Sequence, residues 1–147
     1  MRDSGDPIAF PPNFPPKSGW DKFFIGVRWL GPDLSFFQDF QERQELRSES
    51  LMSVWHDDKL RRLAIEFGIS LKRHLHWKSI YFLPDDTLAA VLHGPKFEQI
   101  GGDQDAKDAV EEFQERIGLS APISFWEDRL GTSLLLVMND VKDRLQT

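Results

Sequence analysis

The stretch IGGDQDAKDAVEEFQERIGL, residues 100–119, decides the reading of this chain. It holds a glycine-led turn, an N-cap at Asp103, an acidic amphipathic run and a stop at Gly118-Leu119 of the Schellman type. At about 100° per residue, Ala106, Ala109, Val110, Phe113 and Ile117 share one arc roughly 100° wide. Asp105, Asp108, Glu111, Glu112 and Glu115 fall on nearly the opposite side. A helix with one apolar stripe must bury it against others, so the stretch predicts a mainly α, small helical bundle.

The neighbouring segments supply partners for that stripe. From Asp57 onward, Leu60, Leu63, Ala64, Phe67, Leu71 and Leu75 recur at three- and four-residue intervals. Gly68-Ile69-Ser70 sits inside this run, leaving open one kinked helix or two shorter ones. Residues 78–83, KSIYFL, predict a short strand or extended piece. Asp85 is the expected cap of a brief helix through Leu92, stopped by Gly94 and Pro95. Ser124 and Glu127 stand at capping-box spacing, and a last helix after Thr132 carries Leu134, Val137, Met138, Val141 and Leu145. The expected core is Leu60, Leu63, Phe67, Val110, Phe113, Ile117, Leu134, Val137 and Val141.

The first third of the chain has a different character. Residues 1–19 form a proline-rich arm containing PPNFPP, and 20–55 form an aromatic-rich part. Nine of the 18 aromatic residues lie between Phe10 and Phe40, so this region belongs to the folded body or to an interface. KFFIGVRWL, 22–30, alternates like a strand, which leaves room for a short two-stranded β element. Asp33 is a candidate cap for a helix carrying Leu34, Phe37, Phe40 and Gln44. RSESLMSVW, 47–55, reads as a connector into the helical core at 56–147. A chain of 147 residues of ordinary globular composition forms one domain, 1–147.

Composition excludes several function classes. No run of about 18 apolar residues exists to span a bilayer, and the N-terminus lacks a signal-peptide pattern. Without cysteine there is neither a disulfide framework nor a thiolate site, which fits a cytoplasmic protein. A net charge of −6 opposes nucleic acid and anionic membranes as partners. The charge is polarised: residues 98–116 carry seven acids against two bases, whereas 57–78 carry six bases against three acids.

The order of segments resembles the acyl carrier proteins over residues 57–145. A helix from Asp58 leads through FLPDDTL to GGDQDA, then the acidic helix, the short SFWED turn and the TSLLLVMNDV helix. The resemblance implies a carrier-like bundle with an acidic docking helix. The position after Asp103, where the family carries its phosphopantetheine-bearing serine, is Gln104. An amide cannot take up that group, so no cofactor is expected.

Other candidates for chemistry have plainer readings. Of the histidines at 56, 74, 76 and 93, His74 and His76 lie about 200° apart on the expected helix, and the aspartates that would join His56 as ligands, Asp57 and Asp58, read as caps, so no metal site is expected. Asp57-Asp58 and Asp85-Asp86 are adjacent acid pairs that read as helix caps rather than as an acid and base. Trp55 and Trp77 beside Arg61, Arg62, Lys72 and Arg73 match a basic-aromatic nucleic-acid surface only loosely. No nucleophile elbow, P-loop or dinucleotide fingerprint occurs.

The function expected from sequence is a non-catalytic binding or adaptor module. Its docking face is Asp105, Asp108, Glu112 and Glu115, and its partner a protein with a basic surface. An inhibitor or immunity-type protein covering a basic site is the alternative, and the same acids also read as ordinary solvated surface.

Overall fold

Asp57 opens the longest of the described helices, and the reason is local. Its Oδ1 accepts from the backbone N–H of Lys59 at 2.7 Å and of Leu60 at 3.1 Å, satisfying two of the donors a helix start leaves unpaired. The computed structural model describes residues 7–8, 36–93 and 102–145. In chain order these form α1 (Phe36–Glu45), a 3₁₀ turn (Glu49–Val54), α2 (Asp58–Leu75), α3 (Leu88–His93), α4 (Gly102–Ile117), α5 (Ile123–Glu127) and α6 (Leu134–Leu145). The protein is mainly helical, and no strand occurs among the described residues. The expected strand at 22–30, the cap at Asp33 and the proline-rich arm lie outside them, apart from Pro7 and Ile8.

α2 and α4 form the most extensive helix pair and run antiparallel: His74 meets Glu112 while Glu66 meets Arg116. Their facing stripes bury Leu60, Leu63, Phe67, Val110 and Phe113, joined by Leu134, Val137 and Val141 of α6. Ile117 alone of the expected core is only half-buried. Phe67 lies at the centre, with its ring centroid 4.9 Å from Phe113 and 5.8 Å from Trp126. The Schellman end of α4 forms as expected: Gly118 takes φ 74° and the Leu119 N–H donates to the Gln114 carbonyl at 2.9 Å.

α2 is not interrupted at Gly68. The helix runs unbroken past it, and the glycine admits a neighbour: a Cβ there would lie 1.9 Å from the Ile80 carbonyl oxygen. α2 ends at His76, which adopts the left-handed conformation at φ 67°.

Residues 78–83 form neither helix nor strand, with bends at Lys78 and Ile80, and no strand pairs with them among the described residues. Side chains take the place of a ladder. The Gln44 amide donates to the Ser79 carbonyl at 2.6 Å and accepts from the Ser79 N–H at 3.0 Å. Trp55 Nε1 donates to the Phe82 carbonyl at 2.9 Å. The only β pairing among the described residues is an isolated antiparallel bridge, Thr87 with Ser133, which ties the start of α3 to the start of α6.

Two expected caps are corrected. Asp85, the expected cap of α3, is exposed and lies three residues before Leu88, too early to cap it, while its neighbour Asp86 is fully buried and grips Arg47 through Nη1–Oδ2 at 2.6 Å and Nη2–Oδ1 at 3.0 Å. The same carboxylate accepts the N–H groups of Leu83 and Ile8, each at 2.8 Å, so both oxygens are fully used. Burying this pair is tolerable only because its lone pairs are satisfied. The residues read as a connector thus carry an anchor of the fold. α5 begins one residue before Ser124, after Pro122, so no capping box forms there.

Candidate docking face on the fourth helix

α4 is held along both edges of its apolar stripe, and this decides which acids remain outward. On one edge, Glu112 reaches α2: its Oε1 lies 2.6 Å from His74 Nε2, and its Oε2 lies 3.5 Å from Arg73 Nε. One turn on, Arg116 Nε bonds Glu66 at 2.6 Å and its Nη1 lies 3.7 Å from Glu112. On the other edge, Trp126 Nε1 of α5 donates to Gln114 Oε1 at 2.8 Å. The helical wheel explains this division. Glu112 and Arg116 flank the apolar arc on the α2 side, whereas Asp108, Glu111 and Glu115 sit opposite it.

The four expected docking acids therefore divide. Asp105 and Glu115 are exposed and make no hydrogen bond or ion pair with a described residue. Asp108 is half-buried and accepts from Gln104 Nε2 at 2.9 Å. Glu112 is the correction: it is turned against α2 amid His74, Arg73 and Arg116, and helps pin the helix pair. Glu111 is exposed and takes its place on the outer arc. Asp103, the expected cap, lies within the first turn of α4 rather than before it.

The remaining sequence candidates are dispersed. No cluster of three or more metal-ligating side chains occurs among the described residues. His56 and His76 are exposed, and His74 belongs to the Glu112 contact. Trp55 and Trp77 are buried, with indole N–H groups donating to the Phe82 and Val91 carbonyls, so neither offers a ring for a base to stack on. Arg61 donates to the Met52 and Trp55 carbonyls and pairs with Asp58, which ties the 3₁₀ turn to α2. No helix among the described residues is long and apolar enough to cross a membrane.

Sequence reasoning missed the position of α6 relative to α2. Lys142 Nζ bonds Asp57 Oδ2 at 2.9 Å, and this ammonium, with the helix N–H groups, holds the Asp57 carboxyl below the usual carboxylate range. Nothing in the local pattern around either residue announces the contact, since both read well as a cap and a surface lysine.

Comparison with protein-family models, with curated proteins and with solved structures finds no match to this chain.

Proposed function

We propose that the chain is a non-catalytic binding module. In this reading a carrier-like helical bundle docks a protein of basic surface through the outer arc of α4. The observation that carries the reading is the split among the acids: Glu112 is engaged by α2 within the fold, while Asp105, Glu111 and Glu115 stay exposed without partners among the described residues. Charges left on a rigid helix held at both edges repel one another and contribute little to stability, but they can steer a basic partner. Gln104 stands where a carrier would bear its serine, so the module acts by contact rather than by carrying a group. The cytoplasm is the compartment we assign to it, and the net charge of −6 disfavours nucleic acid and anionic membranes as partners.

The test uses a variant in which Asp105→Asn, Glu111→Gln and Glu115→Gln are combined. A partner recovered from the native host should associate with this variant more slowly than with the wild type. The difference should shrink as salt rises past the screening range. Equal association rates at low salt would refute the docking role.

A further inference from the structure

On the side of the bundle where α2, α4 and α6 converge, a cleft of about 290 Å³ is lined by Lys59, Arg62, Leu63, Glu66, Arg116, Ile117, Lys142 and Leu145. Its construction is amphiphilic. Four cations stand around it against one carboxylate, and Leu63, Ile117 and Leu145 supply an apolar lining. That explains why Ile117, expected in the core, stays half-buried, and why Leu145 is 37% exposed at the end of α6.

The cations are not equivalent. Arg116 is satisfied by Glu66 and Lys142 by Asp57. Lys59 and Arg62 are exposed and have no partner among the described residues. They sit three apart on α2, hence on one face and one turn, and Leu63 lies one turn on from Lys59 at i+4. Two uncommitted cations beside an apolar hollow are the complement of a ligand with an anionic head and an apolar tail. The hollow lies near the lower bound of small-molecule sites, which run from roughly 300 Å³ upward.

We propose that this cleft binds a small amphiphilic carboxylate. Lys59 and Arg62 take the carboxylate as charge-assisted hydrogen-bond donors, and the alkyl portion covers Leu63, Ile117 and Leu145. The site is distinct from the outer arc of α4 and stands whether or not that face docks a protein. An acidic peptide shares the charge but brings a polar backbone to an apolar lining, and is the less favoured occupant.

The probe is decanoate, titrated below its aggregation threshold into the full chain and followed by methyl NMR. Saturable shifts confined to Leu63, Ile117 and Leu145 are expected. The Lys59→Gln/Arg62→Gln double variant, altered only at exposed positions, should bind roughly tenfold more weakly, the factor expected for losing charge-assisted bonds. Decanol, which keeps the tail and lacks the charge, should weaken by a similar factor. Non-saturating shifts, shifts elsewhere in the chain, or undiminished binding by the double variant would each overturn the proposal. So would a glutamate-rich peptide that occupies the cleft when decanoate does not.

Discussion

Replacing Gly68 by alanine sets two physical effects against each other, and the structure says which wins. By helix propensity alone the change is favourable: glycine inside a helix costs about 0.5–1 kcal/mol relative to alanine. Gly68 is interior to α2, so a reading from the helix alone predicts stabilisation of that size. The tertiary contact predicts the reverse. The new Cβ would meet the Ile80 carbonyl oxygen at 1.9 Å and its carbon at 2.8 Å, and both are backbone atoms that no rotamer change can move aside. Segment 78–83 would have to retreat, and it is held by Gln44 and Trp55 through bonds of 2.6 to 3.0 Å. Overpacking of a fixed core typically costs about 1–3 kcal/mol, and lengthening or breaking a buried bond adds about 1 kcal/mol. Net of the propensity gain, the expected loss is about 1–3 kcal/mol. For a chain of this size that lowers the melting temperature by several degrees, at roughly 2–4 °C per kcal/mol. Gly131 has no atom within 4 Å of an added Cβ, so Gly131→Ala is the matched control and should change little. Denaturant melts of the three proteins decide the matter. A Gly68→Ala variant as stable as the wild type, or more so, would refute the close approach of α2 to segment 78–83.

Three further outcomes follow from named contacts. Asp86→Ala should cost about 3–5 kcal/mol in chemical denaturation, because it removes the counter-charge of the buried Arg47 guanidinium and the acceptor of the Leu83 and Ile8 N–H groups; a loss under about 1 kcal/mol would mean the pair is not buried. Glu112→Gln should destabilise by about 1 kcal/mol while Glu115→Gln stays within about 0.5 kcal/mol, since only the first holds α4 to α2; equal melts would return Glu112 to the outer surface. Asp57 has a folded-state pKa depressed by Lys142, so its contribution is fully present above the unfolded value and is lost as pH falls through the folded one. The stability difference between wild type and Asp57→Asn should therefore be constant near neutrality and shrink below about pH 4, the unfolded value of an aspartate; a difference independent of pH down to about pH 2 would contradict the ion pair.

What the sequence by itself determined were the helices and their inward faces. The stripe from Leu60 to Leu75, the arc from Ala106 to Ile117 and the Gly118 stop depend on neighbours three to five residues apart, so periodicity and capping chemistry reveal them. The outward acids of α4 were legible only to that resolution. A wheel separates Glu115 from the core, but it cannot say that α2 lies beside Glu112 and claims it. The same limit hid the cleft, whose lining comes from three helices, and the Arg47–Asp86 anchor, whose members looked like a linker residue and a cap. It also hid the reason for Gly68, which answers to Ile80 across space rather than to its own helix. Each of these depends on which elements the chain brings together. That is a property of the packed core, where one arrangement of helices satisfies every buried stripe and polar group at once, and no local window contains it.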